Sequence, residues 1–357
     1  MPERIIDLRS DTLSQPTPAM LEAILTARLG DDSRDGDPTV LELEALAAEL
    51  MGKEAAMLTA SGTMSNLIAM RTHAEAGAPL ILESQAHIYH NEFGGYAAVC
   101  GLQPILVPGR RGAMDLDALR AALRKAGQGF PARGLVCLEN THNAAGGTVL
   151  SPAFTAQVSD IAHAAGLPVH LDGARIFNAA VALGVPAREL AGPVDSVSFC
   201  LSKGLSAPVG SLLVGSREFI ERARRIRRAL GGSMRQAGII AAPGLVALRT
   251  MIGRLAEDHA NARLFAEQLA GVTGLYIDME TVQTNMVNVD VAGLGIDAGT
   301  FARFLAERGV RGLPGLGTVI RFVTYRGITR QDVMEAAEII RRLVAEHPWR
   351  PAEQLES

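Results

Sequence analysis

VHLDGARIFNA (169–179) and SFCLSKGLSAPVGS (198–211) decide the reading of this chain. Each begins as a short apolar run and ends in a reactive residue followed by small turn residues. Asp172 closes the first run just before Gly173, and Lys203 follows the second inside a turn built from Ser202, Gly204 and Ser206. A parallel sheet places its functional loops beyond the carboxyl ends of its strands. A carboxylate and an amine at two such ends are therefore expected to share one ligand. Taken singly, Asp172 also reads as a helix cap and Lys203 as a surface lysine.

The same texture repeats outward. AAMLTA (55–60), PLILE (79–83), GLVCLEN (134–140) and GSLLVG (210–215) are further short apolar runs, with LDALRAALRKA (116–126) and PAFTAQVSDIAHAAG (152–166) as helical patterns between them. Such alternation predicts an α/β fold, a mostly parallel central sheet flanked by helices. That unit, with the N-terminal segment, is expected over 1–245. Beyond Pro243 the spacing predicts one long helix over 246–271, strands at 284–291 and 318–325, and a closing helix opened by Thr329 and Asp332. Its apolar face comprises Val333, Ala336, Ala337, Ile340, Leu343 and Val344. This makes a smaller C-terminal α+β domain, 246–357, with a polar tail from about Pro348.

Composition narrows the function. The 357 residues are 48% hydrophobic and 20% charged, enough to bury a large core and too apolar for a disordered chain. A net charge of −4 and 4% aromatic residues supply neither a basic field nor a stacking platform, so no nucleic-acid partner is expected. No apolar run reaches the roughly 18 residues of a membrane span. The start, MPERIIDLRSDT, carries charges where a signal peptide needs apolar residues. Cys100, Cys137 and Cys200 are too scattered for a disulfide framework or zinc cluster, so no metal is expected and the cytoplasm is the expected compartment.

One chemistry uses a lysine and an aspartate at neighbouring strand ends, that of pyridoxal 5'-phosphate. The lysine forms a Schiff base with the cofactor aldehyde, and the aspartate keeps the pyridine nitrogen protonated so that the ring draws electrons. Gly62 and Thr63, in ASGTMSN (60–66), stand between a strand and a helix, where free backbone N–H groups can bind a phosphate. His87 and His90 follow PLILE across a short loop, and an imidazole there can stack on the ring and move a proton. His142, in ENTHNAAGG (139–147), is placed to reach a substrate hydroxyl. Arg175 and Arg321 are candidates for a substrate carboxylate, the alternative for each being a structural ion pair.

DLRSDT (7–12), GDD…DPT (30–39), SGTMSN, ENTHN, HLDGARIFNA, FCLSKGLSAPVGS and GGSMRQAG (231–238) together resemble the low-specificity L-threonine aldolases. The likeness runs from about residue 5 to 346. It implies the aspartate-aminotransferase-like fold of type I pyridoxal-phosphate enzymes, with Lys203 as the Schiff-base lysine, Asp172 as the pyridinium partner and His87 over the ring. It further implies Gly62, Thr63 and Ser202 at the phosphate, and Ser10, Arg175 and Arg321 at the amino-acid carboxylate, with His142 near the β-hydroxyl. Arg235 would reach the phosphate of a neighbouring subunit in a homo-oligomer, a dimer or tetramer with active sites at subunit interfaces. The family pattern near GDDVYGEDPT reads GDDSRDGDPT here, Ser65 and Gln15 replace a glycine and a lysine, and Tyr325 replaces a histidine.

The expected reaction is retro-aldol cleavage of a β-hydroxy-α-amino acid to glycine and an aldehyde, with His87 or His142 as the base. The alternatives are β-elimination or amino transfer on the same scaffold, an aldolase in which Arg34 selects an acidic substrate such as 3-hydroxyaspartate, and a non-catalytic cofactor-binding protein. For Arg34 the competing expectation is a local ion pair with Asp31, Asp32, Asp35 or Asp37.

Overall fold

Apolar runs bounded by glycine and proline become buried strands, and they set the layout of the whole chain. The computed structural model describes residues 4–130, 132–346 and 349. Apart from Trp349, the expected polar tail from about Pro348 lies outside the described residues. Seven strands form the central sheet: β1 (Ala55–Thr59), β2 (Pro79–Glu83), β3 (Gln103–Val107), β4 (Leu135–Glu139), β5 (Val169–Asp172), β6 (Ser196–Cys200) and β7 (Ser211–Gly215). Their order is β1-β7-β6-β5-β4-β2-β3. β7 runs antiparallel to β1 and β6, and every other neighbouring pair is parallel. β2, β4, β5, β6 and β7 are buried along their whole length, as a sheet covered on both faces requires.

Six of these strands coincide with the predicted runs. β3 was not predicted, because QPILV opens on a polar residue and a proline and is mostly exposed. Its edge position explains how Pro104 is tolerated, since an edge strand has one side without ladder bonds.

Eleven helices of eight or more residues are described: α1 (Pro18–Leu25), α2 (Pro38–Met51), α3 (Gly62–His73), α4 (Leu116–Ala126), α5 (Pro152–Ala164), α6 (Ile176–Leu183), α7 (Arg217–Ala229), α8 (Gly238–Thr250), α9 (Leu255–Leu269), α10 (Ala298–Glu307) and α11 (Arg330–Glu346). Their starts are locally encoded. Thr17, Asp37, Asp115, Ser151, Ser216 and Asp297 each cap a first turn through a side-chain oxygen, with proline next in line in α1, α2 and α5. Thr329 and Asp332 cap α11 reciprocally, as predicted.

The single helix expected over 246–271 is instead two, α8 and α9, bent by 72° at residues 251–254. Both halves are apolar on one side, so the periodicity reads straight through the break. The turn lets Leu255 pack in the core of the central sheet, while Ala262, Phe265 and Leu269 join a second core. That second core lies under an antiparallel sheet, β8 (Met286–Asp290), β9 (Leu313–Pro314) and β10 (Val319–Val323), in order β8-β10-β9. Ile6 and Leu8 belong to it as well, because Ile6–Asp7 pairs in parallel with Val310–Arg311. The N-terminal segment is thereby fastened to the C-terminal unit. No single helix among the described residues is long and apolar enough to cross a membrane.

Candidate active site

The loops after β1, β2, β4, β5 and β6 all leave from the carboxyl rim of the central sheet. Asp172 ends β5 and Lys203 follows β6, the adjacent parallel strand, with Asp172 in register with Ser198. The two residues therefore open onto one region. Asp172 is 4% exposed. Its Oδ1 accepts the Ala174 N–H at 3.0 Å and its Oδ2 accepts from Asn66 Nδ2 at 2.9 Å. Lys203 is half-buried beside Arg175 and Cys200. Its turn is held by the Ser206 N–H, which donates to the Lys203 carbonyl at 2.8 Å with Ser206 at φ 65°.

Asn66 is oriented by its donors. Its Oδ1 accepts from Ser198 Oγ at 2.7 Å and from His170 Nε2 at 3.1 Å, which turns both amide hydrogens toward Asp172 and Glu92. Burial pushes His170 down to about 4, so it donates as a neutral ring. Glu92 Oε1 accepts from His87 Nδ1 at 3.2 Å, leaving His87 Nε2 without a partner among the described residues. Burial opposes a charged His87, but the Glu92 hydrogen bond and the charges of Asp172 and Glu139 outweigh it and raise His87 above the usual histidine value. Ligand atoms of His87, Glu92 and Asp172 lie within 4.8 Å of one another, with the Asn66 amide bonded to both carboxylates.

Gly62 and Thr63 open α3. Ser61 Oγ caps Met64 N–H at 3.2 Å, while the N–H groups of Gly62 and Thr63 have no acceptor among the described residues. A Cβ on Gly62 would stand 2.9 Å from Cys200 Sγ, so only glycine brings this helix end so close to β6. A helix N-terminus with free donors, a buried carboxylate and an amine at one rim suit the phosphate, ring nitrogen and aldehyde of pyridoxal phosphate. The residues present fit the cofactor. Ser202 is half-buried next to Lys203.

Arg175 is buried and already paired. Its Nε and Nη2 each donate at 2.7 Å to the two oxygens of Asp11, which is fully buried. Of the two expectations for Arg175, the structure shows the ion pair, leaving Nη1 as its unengaged end. Arg321 differs. Its Nη1 donates to Asn143 Oδ1 at 2.6 Å, its Nε has no partner, and no carboxylate bonds it among the described residues. Burial and the nearby Arg175 charge bring Arg321 down to about 10, with Asp11 opposing. Ser10 lies beside Asp11, its Oγ accepting from Thr12 N and Thr12 Oγ1.

His142 is 1% exposed. Its Nδ1 accepts the Ala145 N–H at 3.3 Å, so Nε2 carries the hydrogen and donates to Glu83 Oε2 at 3.1 Å. Burial opposes its charged form, but Glu139 and Glu83 raise it above the ordinary range. Arg34 does not join this group. Its side chain is 79% exposed and lies 3.7 Å from Asp31 Oδ2, the local pair that competed with a substrate role. The acid-selective expectation thus loses the residue that motivated it. Arg235 is also exposed and bonds Ser33 Oγ on the same loop. The hydroxyls of Ser65 and Tyr325 are engaged by Thr59 Oγ1 and the Asp7 carbonyl. Sequence reading missed Asp11, Asn66, Glu83, Glu92 and Glu139, although all but Glu92 lay inside stretches already singled out.

Burial alone would raise the Asp11 carboxyl, but Arg175, then Lys203 and Asn285, hold it at about 2. A depressed folded value stabilises fully above the unfolded value near 3.8 and fades as pH falls through about 2. Asp11→Asn should leave Arg175 buried without its counter-charge and cost about 3–5 kcal/mol in urea unfolding at neutral pH. It should also flatten the acid limb between those two values. A loss below about 1 kcal/mol would show that the pair does not hold this corner.

Residues 7–292 match the family described as Beta-eliminating lyase. The chain is 44% identical over 335 residues to a low-specificity L-threonine aldolase 1 of Arabidopsis thaliana, covering 92% of this chain and 94% of that protein. It is 41% identical over 342 residues to a low specificity L-threonine aldolase of Escherichia coli K12, covering 96% and 100%. Among solved structures, a threonine aldolase of Leishmania major superposes with a TM-score of 0.79 at 18% identity, covering 95% of this chain and 99% of that one. A putative L-allo-threonine aldolase of Listeria monocytogenes gives 0.75 at 20% identity, with 95% of each chain covered. At those identities the structures speak for the fold, and the sequence matches carry the kinship: this chain belongs to the beta-eliminating lyase family, beside relatives named low-specificity L-threonine aldolase.

Proposed function

We propose that the protein is a pyridoxal-phosphate-dependent aldolase that cleaves L-threonine, L-allo-threonine or a related β-hydroxy-α-amino acid to glycine and an aldehyde. The observation that carries this reading is Lys203 and Asp172 on neighbouring strand ends, with the half-buried Arg321 guanidinium bonded, among the described residues, only to a neutral amide. Lys203, Asp172, His87, Gly62, Thr63 and Ser202 would hold the cofactor, with Arg235 supplied by a neighbouring copy. When bound, the cofactor supplies an electron sink for the pair released as the Cα–Cβ bond breaks.

The chain's own residues do the rest. Arg321, Ser10 and the unengaged Nη1 of Arg175 bind the substrate carboxylate. His87 Nε2 takes the β-hydroxyl proton, because Glu92 engages Nδ1 and leaves the Nε2 lone pair available. His142 has both ring nitrogens engaged and orients the hydroxyl side of the site instead. One proton leaves the hydroxyl, the aldehyde departs, and one proton returns at Cα to give glycine.

The assembly is a homo-oligomer, a dimer or tetramer. Support comes from the exposed apolar side chains Leu21, Leu25, Leu29, Leu41 and Ile239 around α1, α2 and α8. They adjoin the loop that carries Arg34, since a Cβ on Gly238 would meet Leu29 and Asp37. Three free buried thiols suit a reducing compartment, which supports a cytoplasmic location.

Purified protein given threonine and allo-threonine should release glycine and acetaldehyde in equal amounts. Lys203→Ala should abolish both the release and the visible absorption band. Pyruvate with ammonia, or a keto acid, in place of glycine would overturn the reading. Because His87 acts as the neutral ring, kcat/KM should rise with pH through a midpoint above 6.5, the ordinary histidine value. Glu92→Gln should move that midpoint down, and an unmoved midpoint would remove His87 from the base role. Leu25→Asp should shift the oligomer toward smaller species in light scattering, whereas an unchanged mass would place the interface elsewhere.

A further inference from the structure

Glu139 ends β4 on the same rung as Asp172, is 6% exposed, and has no arginine or lysine bonded to it among the described residues. Its two oxygens are divided between two loops. Oε2 accepts the His87 N–H at 2.6 Å, and Oε1 accepts the Asn143 N–H at 2.7 Å. Both bonds are short and charge-assisted, so each loop is held at a set distance from one rigid strand end. Asn143 then passes the constraint onward, because its Oδ1 is the partner of Arg321 Nη1. The chain His87–Glu139–Asn143–Arg321 thus joins the imidazole assigned to the β-hydroxyl with the guanidinium assigned to the carboxylate.

We infer that Glu139 is a positioning residue that sets the spacing between Arg321 and His87, and so the choice between β-epimers of the substrate. The inference rests on the aldolase reading of the same site. In that reading the carboxylate is fixed at one end of the chain of contacts and the β-hydroxyl is sought at the other. The two epimers share every atom but differ in where the hydroxyl stands relative to the carboxylate. A fixed spacing favours one of them, and a loosened spacing reduces the difference. Glutamine at 139 keeps the shape but has one acceptor oxygen, and its NH2 group cannot accept from either N–H. One loop is therefore released in Glu139→Gln.

The test is cleavage of L-threonine and L-allo-threonine by the holoenzyme, read as kcat and KM separately for each epimer. Glu139→Gln should change the ratio of the two kcat/KM values by about threefold or more, mainly through kcat. Asn143→Asp provides a second arm. Its new carboxylate would pair with Arg321 and compete with the substrate, so KM should rise about tenfold for both epimers alike, by more than kcat falls. A merely structural Glu139 would lower the melting temperature and leave the epimer ratio of the folded enzyme unchanged. An unchanged ratio in Glu139→Gln with an active parent enzyme overturns the inference. Should Glu139→Gln not fold, an unchanged KM in Asn143→Asp overturns it instead. A parent enzyme that releases no glycine from either epimer overturns the aldolase reading and this inference with it.

Discussion

Three neighbouring strands of a sheet covered on both faces end in carboxylates, and the site follows from the need to solvate them. Glu83, Glu139 and Asp172 close β2, β4 and β5, and each is at most 6% exposed. An ionised carboxylate in such a place costs several kcal/mol unless protein donors replace water. The donors come largely from the loops that start at the same strand ends. Glu83 accepts from the Gln85 N–H and from Ser84 and His142, Glu139 from two loop N–H groups, and Asp172 from the Ala174 N–H and Asn66. Satisfying the acids therefore bends the loops into one arrangement, with His87 and His142 carried along.

The cationic side is arranged on the opposite rule. Arg175 has both oxygens of Asp11 and is electrically complete, whereas Arg321 sits close by with a neutral amide oxygen and an unbonded Nε. Of the two neighbouring guanidiniums, only Arg175 has a bonded carboxylate among the described residues. This corner of the site thus holds one guanidinium with no carboxylate bonded to it among the described residues, its Nε left free to donate. The imbalance is sustainable because Arg175 and Asp11 form a closed pair that would be costly to break. Burial first, and the Arg175 charge second, lower the affinity of Arg321 for its proton.

The sheet and its reactive rim were legible because burial forces a simple code: apolar run, acid or lysine, glycine. Asp172, Lys203, Gly62 and His87 all sit at such junctions, and the structure brings their strand ends together. What was hidden is whatever depends on a distant partner. Arg175 reads equally as a substrate ligand or as half of an ion pair, and the Asp11 that engages its Nε and Nη2 lies 164 residues away, out of reach of any local pattern. The break between α8 and α9 was invisible for a related reason. Periodicity reports an apolar face, and the same face can serve two cores in turn. The role of Asn66 was hidden in the same way, since its four hydrogen bonds reach Glu92, Asp172, His170 and Ser198, none within a helix turn of it. Arg34 was suspect for its sequence context and lies in a loose ion pair with Asp31, one of the acids beside it.

The carboxylate end of the site is assembled where the two cores meet, and contacts from both sides hold that seam. Ile6–Asp7 pairs with Val310–Arg311, which draws the N-terminal segment, and Asp11 with it, over to the second unit. From the other side, the loop after β4 docks on the small sheet through Asn288, which donates to the Ala144 carbonyl, and Thr284, which donates to the Gly147 carbonyl. At Gly147 (φ 77°) a Cβ would stand 2.5 Å from Thr284 Oγ1, so glycine is what permits the approach. Asn285 completes the junction by donating to Asp11 Oδ2 and to the Thr324 carbonyl. Arg321 on β10 and Arg175 after β5 are therefore neighbours only while both units are docked. The relative placement of the two guanidiniums is therefore a property of the docked units together and not of either unit alone.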